Sequence, residues 1–267
     1  MSKDRVDVLC VEKGLFDSRE KAKRAIVEGI VYVDGLKISK PGLKIDSSSE
    51  ITIVGEKLKY VSRGGLKLEK AINEFDLHLE GAVMLDIGSS TGGFSDCALQ
   101  HGAKLVYALD VGTNQLADKL RNDKRVVVKE QTNFRNATLD MFESGQPDFA
   151  SIDVSFISLK HIFKPLSEIL KQDHYFVALI KPQFEAGKND VSKNGIVSNK
   201  FTHIRVINDV ITYAHDNGMS IVNLSYSPVK SDIGNIEFLG LFINKPNADL
   251  DVNVSNIVEK AHEDFKG

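Results

Sequence analysis

Two carboxylates 24 positions apart, Asp86 and Asp110, each close an apolar run, and a cluster of glycines follows the first. The stretch from Ala82 to Phe94 reads A-V-M-L-D-I-G-S-S-T-G-G-F. It describes a short buried-type strand, a turn carrying Gly88, Gly92 and Gly93, and a helical pattern resuming after Phe94. Glycines at such a turn let the backbone approach a ligand, and the helix N-terminus behind them offers N–H groups to a polar or anionic group. A plain structural turn would read the same way. The spacing G-x-x-x-G-G departs from the dinucleotide fingerprint G-x-G-x-x-G. Gly88-Ser89-Ser90-Thr91-Gly92 also satisfies the hydrolase elbow G-x-S-x-G, with His203 or His215 downstream as a base. The neighbouring residues favour an S-adenosylmethionine pocket. Asp86 would meet the charged amino-acid part of that ligand, and Asp110, ending K-L-V-Y-A-L-D, would hold two vicinal ribose hydroxyls. Gly88, Gly92, Gly93 and Phe94 would line the turn.

Four other residues could move protons. Asp153 ends a strand-like run in S-I-D-V-S-F, Lys181 ends another in A-L-I-K-P-Q-F-E, Glu237 opens the last in G-N-I-E-F-L, and Lys67 lies on a helical stretch before the glycine turn. Singly, each has an ordinary explanation as a helix cap, a solvated strand end, an edge charge or a linker cation. Together they suit methyl transfer to a sugar hydroxyl. A ribose 2′-OH is a poor nucleophile at neutral pH, so a base must take its proton. A lysine can serve if burial or a neighbouring cation lowers its pKa, and Lys67 beside Lys181 would supply that cation. Asp153 would orient Lys181, and Glu237 would position Lys67 or the ribose. No metal is demanded.

These residues need a scaffold, and the pattern from Ala82 onward supplies one. Strands are expected at 83–86, 105–110, 125–129, 149–154, 175–180, 220–227 and 237–243, with helices near 66–75, 95–100, 115–120, 159–170 and 200–217. Such alternation predicts a mainly parallel α/β sheet that collects ligands at its carboxyl edge. Pro228 to Ile236 leaves no room for a crossover helix, so the last two strands should form an antiparallel hairpin. The 267 residues are 42% hydrophobic and 27% charged, which fits a globular protein with one large domain or a large and a small one. Cys10 and Cys97 are too few for a disulfide framework or metal cluster and read as buried thiols in a reducing compartment. No apolar run approaches the roughly 20 residues needed to span a bilayer, and the N-terminus lacks a signal-peptide core, so a cytoplasmic protein is expected.

The first 61 residues carry twelve Lys and Arg against ten Asp and Glu, whereas the remainder is acidic. A short helix is expected from Val6 to Gly14 and a second from Asp17 or Ser18 to Gly29. Between those two starts and Gly29 lies a basic band of Arg19, Lys21, Lys23 and Arg24, interleaved with the acids Glu20 and Glu28. The turn Asp34-Gly35 signals a hairpin, and 50–54 a further strand. This predicts a small α+β domain over 1–59, a linker over 60–65 and the α/β domain over 66–267. A charged helix face can simply be solvated.

The string S-R-E-K-A-K-R-A-I-V-E-G-I-V-Y-V-D-G resembles the S4 RNA-binding domain. That resemblance implies binding of structured RNA by shape and phosphate contacts, with Arg5, Arg19, Lys21, Lys23, Arg24 and Arg63 as candidate contacts. The set Lys67, Asp153, Lys181 and Glu237 resembles the K-D-K-E tetrad of FtsJ-like ribose 2′-O-methyltransferases. With Y-V-S-R-G-G-L-K-L, L-D-I-G-S-S-T-G-G-F and I-K-P-Q-F-E, the whole chain resembles the TlyA family, whose members are called hemolysin A or rRNA cytidine-2′-O-methyltransferases. The resemblance implies a class I methyltransferase fold with seven strands, S-adenosylmethionine as cofactor, and cytidines of 23S and sometimes 16S rRNA on ribosomal subunits as substrate. By position, Gly88, Asp110 and Asn133, with Asp86, would line the cofactor pocket. The hemolysin name raises membrane lysis as a rival, against which stands the absence of a strongly basic amphipathic helix with a broad apolar face.

Overall fold

Runs such as V-M-L-D-I and F-L-G-L-F-I carry no polar face, which suits strands covered by helices on both sides. In the computed structural model, which describes residues 3–16, 18–27, 29–54 and 59–266, both runs are buried throughout. The chain divides into two units, Met1–Lys59 and Tyr60–Gly267. Asp17, Glu28 and the side chain of Arg24, all weighed above, lie outside what is described.

The first unit contains β1 (Lys3–Arg5), α1 (Val6–Glu12), α2 (Arg19–Val27), β2 (Val31–Val33), β3 (Leu36–Lys37), β4 (Lys44–Asp46) and β5 (Ile51–Ile53). Its sheet has the order β3-β2-β5, and β1 pairs separately with β4. The hairpin at Asp34-Gly35 forms as expected, both residues having positive φ (49° and 77°), the requirement of a tight primed turn. Val6, Leu9, Cys10, Ala22, Ile26 and Val31 fill the core of this unit.

Arg5 and Arg19, expected to face RNA, are engaged at home. Arg5 forks onto Asp7 (2.8 and 3.1 Å), and Arg19 donates to the same carboxylate at 3.0 Å. The Asp7 side chain is wholly enclosed, whereas the two arginines keep 44% and 51% of their side-chain surface. Lys23 likewise pairs with Glu20 at 2.6 Å, one turn earlier on α2.

The second unit contains α3 (Gly64–Glu74), β6 (Val83–Ile87), α4 (Gly93–Gln100), β7 (Leu105–Leu109), α5 (Asp118–Arg121), β8 (Val126–Lys129), β9 (Phe149–Ile152), α6 (Lys160–Ile169), β10 (Tyr175–Ile180), α7 (Pro182–Glu185), α8 (Lys200–His215), β11 (Ser220–Tyr226), β12 (Phe238–Ile243) and α9 (Val254–Asp264). Its seven strands run β11-β12-β10-β9-β6-β7-β8. The five from β10 to β8 are mutually parallel, and β12 is antiparallel to both β10 and β11. This is the expected sheet with its terminal antiparallel hairpin.

Three details differ from expectation. Residues 60–65 are not a bare linker: Tyr60 is buried, Val61 N–H bonds Asp96 at 2.9 Å, and α3 begins at Gly64. Gly65 permits this, because a Cβ there would stand 2.4 Å from the Tyr60 ring. The helix expected over 115–120 is only the four-residue α5, because the N–H groups of Asn114, Gln115 and Leu116 bond the Glu130 carboxylate instead. Finally α9 was not expected, although Asn253 caps it and Val258 and Ala261 seat it on the core.

The Asp7 clamp gives a testable expectation. Hydrogen bonds from Arg5, aided by Arg19, outweigh burial and hold the Asp7 carboxyl down at about 2. An acid depressed in the folded state stabilises fully above its unfolded pKa near 4 and loses that contribution as pH falls through the folded value. With both guanidinium groups half exposed, and so screened, Asp7→Ala should cost about 1–2 kcal/mol at pH 7. Denaturant unfolding should show the difference between wild type and variant shrinking toward pH 2.

Candidate active site

Sheet order brings the expected proton-handling residues together. β6, β9, β10 and β12 are consecutive neighbours; Gly88, Asp153 and Lys181 immediately follow the first three, and Glu237 immediately precedes β12. Glu237 joins the others because β12 is reversed, so its first residue lies at the carboxyl edge of the parallel strands. The register confirms this by pairing Phe238 with Ile180.

Lys181 Nζ meets Asp153 Oδ1 at 2.5 Å and donates to Ser155 Oγ at 3.1 Å. Lys67 Nζ, arriving on α3, donates to Glu237 Oε2 at 2.7 Å and lies 3.9 Å from Asp153 Oδ2. Asp153 thus stands between two lysines, and Lys67 between two carboxylates. Side-chain exposures are 12% for Lys67, 20% for Asp153, 10% for Lys181 and 2% for Glu237. Burial disfavours charge on Asp153, but the two lysines outweigh it and its carboxyl is held below the usual range. Burial likewise opposes charge on Lys67, but Asp153 and Glu237 push its pKa above the usual lysine value. Lys67 is therefore a fixed cation.

The segment after β10 ties Glu237 to the loop after β9. Pro182 opens α7, Gln183 donates to Glu237 Oε1 at 3.2 Å, and Phe184 packs on Phe156 with ring centroids 5.0 Å apart. Glu185 accepts from Ser158 Oγ (2.6 Å) and Leu159 N (2.8 Å), pinning the loop that carries Ser155 and Phe156. Phe156 is 91% exposed and has φ of +62°, an uncommon backbone for a bulky side chain. Sequence reasoning singled out Lys181 in I-K-P-Q-F-E and missed the roles of Gln183, Phe184 and Glu185 beside it. Phe156 carried no signal before the fold exposed it. Arg63 forms an ion pair with Asp232, a residue that also bears on Lys67.

The expected cofactor residues divide. Asp110, after β7, accepts from Ser90 N (2.8 Å) and Gly112 N (2.7 Å), so its carboxylate is fixed at the strand end. Gly88 and Gly92 have φ of +84° and +93°, and no side chain caps the N-terminus of α4. An uncapped helix start beside an oriented acid fits a nucleoside carrying a charged group. Asp86, by contrast, does not reach an open face. It is fully buried, with its oxygens accepting from Ser95 (2.6 Å) and Ser151 (3.0 Å), and burial raises its pKa to about 6. A Cβ on Gly93 would strike Ser62 and Gly65, and the Phe94 side chain is buried in the core. The Asn133 oxygen faces Arg135, accepting from its N and Nε at 3.2 Å each.

Among the described residues, neither histidine of the hydrolase alternative pairs with Ser90. His203 is wholly buried, with Nε2 on Val197 O (3.0 Å) and Nδ1 on His262 (2.9 Å), and His215 pairs with Asp249 at 2.8 Å. Gly88 itself is fixed by packing, since a Cβ there would lie 2.4 Å from the Asp153 carbonyl oxygen. Gly88→Ala should therefore cost at least about 1–2 kcal/mol from the left-handed backbone alone and push the end of β9 away. Unfolding in denaturant checks the first effect, and a crystal structure of the variant the displacement of Asp153.

Residues 60–242 match the FtsJ-like methyltransferase family and residues 4–51 the S4 domain. A Bacillus subtilis (strain 168) protein, YqxC, provisionally named an rRNA methyltransferase, is 51% identical over 99% of this chain and 96% of its own length. The 16S/23S rRNA (cytidine-2′-O)-methyltransferase TlyA of Mycobacterium tuberculosis (strain ATCC 25618 / H37Rv) is 39% identical over 88% of this chain and 87% of its own. A solved Streptococcus thermophilus protein, provisionally called a hemolysin, is 50% identical and superposes with a TM-score of 0.81 over 100% of this chain and 98% of that one. With its signature residues gathered at one sheet edge and its match to the family extending from Tyr60 to Phe242, the chain belongs to the FtsJ-like methyltransferases.

Proposed function

We propose that this chain methylates the ribose 2′-hydroxyl of cytidines in ribosomal RNA, on ribosomal subunits, with S-adenosylmethionine as donor. The observation that carries the reading is the alternating charge quartet, in which Lys181 is bonded by Asp153 while Lys67 is held between Asp153 and Glu237. Relatives bearing rRNA (cytidine-2′-O)-methyltransferase names support the substrate class. Work on ribosomes would place the chain in the cytoplasm.

When bound, S-adenosylmethionine supplies an electrophilic methyl group on a cationic sulfur. Asp110 and the Gly88–Gly92 turn would hold it, with Asn133 at the neighbouring strand end. Lys181 Nζ takes the proton of the 2′-hydroxyl as the oxygen becomes the nucleophile. Asp153, 2.5 Å away, stabilises the ammonium that forms there. Lys67 keeps its proton and anchors both carboxylates, and Glu237 anchors Lys67. The exposed Phe156 offers a flat face on which an unstacked base can rest. In the first unit, Arg5, Arg19, Lys21, Lys23 and Arg24 would contact RNA phosphates, joined from the second unit by Arg63.

Membrane lysis is the weaker reading. Among the described residues no helix is long and apolar enough to cross a membrane.

The deciding test is transfer of labelled methyl from S-adenosylmethionine to separated 30S and 50S particles from cells lacking the enzyme. Wild-type labelling of 50S particles, or of both, should fall roughly 10²–10⁴-fold in Lys181→Ala, the usual worth of a positioned general base. Equal labelling by wild type and variant would remove Lys181 from the chemistry. Phe156→Ala should raise KM for the particle about tenfold with kcat little changed, as expected for loss of one stacked base.

A further inference from the structure

Gln183 is half-buried, and its amide is satisfied at one end only. Its Nε2 donates to Glu237 Oε1 at 3.2 Å, while its Oε1 is sealed from solvent and accepts no hydrogen bond from any described residue. Leaving a buried amide oxygen unpaired is destabilising, and such groups are rare in native proteins. Reversing the amide would not relieve it, because Oε1 would then face a carboxylate oxygen, acceptor against acceptor. The orientation is thus set by Glu237. Glu237 is only 2% exposed, so water cannot readily replace the donor that Gln183 supplies.

We infer that Gln183 is a positioning residue of the active site: its amide fixes the Glu237 carboxylate, which in turn holds Lys67 against Asp153. Both Glu237 oxygens are occupied, Oε2 by Lys67 at 2.7 Å and Oε1 by Gln183. Without the second bond the carboxylate can rotate about its last torsion, and Lys67 loses the partner that keeps it from drawing Asp153 away from Lys181. Gln183 follows Lys181 by two residues across Pro182, whose ring fixes the backbone at the start of α7. The base and the group that orients its counter-charges are therefore set by one rigid turn. No signal in the sequence separates Gln183 from an ordinary polar helix residue.

This inference rests on the methyl-transfer reading, and its test is built to fail separately. Gln183→Met keeps the volume and removes both the donor and the stranded acceptor. The variant should melt at or above the wild-type temperature, yet show kcat at least tenfold lower, with KM for the ribosomal particle and affinity for S-adenosylmethionine within twofold of wild type. A residue kept for packing would show the opposite: falling melting temperature with activity retained, or losses confined to KM. Gln183→Glu, which keeps the shape but replaces the donor with an acceptor, should lose at least as much turnover as Gln183→Met; retention of wild-type kcat in either variant overturns the inference. A crystal structure of Gln183→Met gives a readout that needs no turnover. Glu237 Oε2 should leave its present position beside Lys67 Nζ, and an unchanged contact would overturn the positioning role even if wild type labels ribosomes. Failure of wild type to transfer methyl would instead overturn the proposed function, with the crystal structure still deciding the place of Gln183.

Discussion

Everything at the working edge of the sheet depends on hiding four ionisable side chains together without leaving any of them unpaired. An isolated buried charge costs several kcal/mol, and removing one partner of a buried pair is more damaging than never building the pair. Alternating basic and acidic side chains, Lys181 to Asp153 to Lys67 to Glu237, gives each group an opposite neighbour. The geometry of the sheet is what makes this possible. Three adjacent strands deliver Asp153, Lys181 and Glu237, α3 brings Lys67, and only a reversed β12 can bring Glu237 to the edge where the parallel strands end. The glycine after β6 belongs to the same constraint, since its missing side chain is what allows the β6 turn to lie on the Asp153 carbonyl.

That constraint also separates the two lysines chemically. Lys67 contacts two carboxylates at 12% exposure and is driven toward permanent charge, while Lys181 contacts one carboxylate and a hydroxyl. A sequence shows two equivalent lysines. The fold makes one an anchor between two carboxylates and gives the other a single carboxylate and a hydroxyl. Lys67 was expected beside Lys181 as its neighbouring cation, and the Asp153 carboxylate stands between the two side chains.

The fold was largely legible because its strands are long, apolar on both faces and separated by helical patterns, and the quartet was legible because each member ends or opens such a strand or starts a helix. What was hidden depended on through-space partners. Nothing in the local sequence says that Asp7 will collect both Arg5 and Arg19, twelve residues from the latter, so arginines read as RNA contacts are first of all members of a clamp. Nor does periodicity mark β1 and β4, three residues each, which exist only because they pair. The glycine turn also answers to packing that the sequence does not display, since side chains on Gly92 and Gly93 would meet Leu120, Ser62 and Gly65. Asp86 stands in the expected place in the chain, but two serine hydroxyls close over it.

The mild charge of the first unit acquires a physical meaning from the same clamp. Long basic side chains lose conformational freedom when they bind phosphate, and that loss subtracts from affinity. Asp7 engages Nε and Nη2 of Arg5 and Nη2 of Arg19, so one enclosed carboxylate orients two guanidinium groups on side chains that stay half exposed. In the proposed reading, a unit with little net positive charge binds RNA through orientation more than through charge density. Binding of that kind depends less on counterion release than a flexible basic tail with the same number of cations, because its shape component survives where screening weakens the charge component. In the proposed reading the two units share one device, a carboxylate set between two basic side chains: the enclosed Asp7 for contact with RNA, and Asp153 for transfer of a proton.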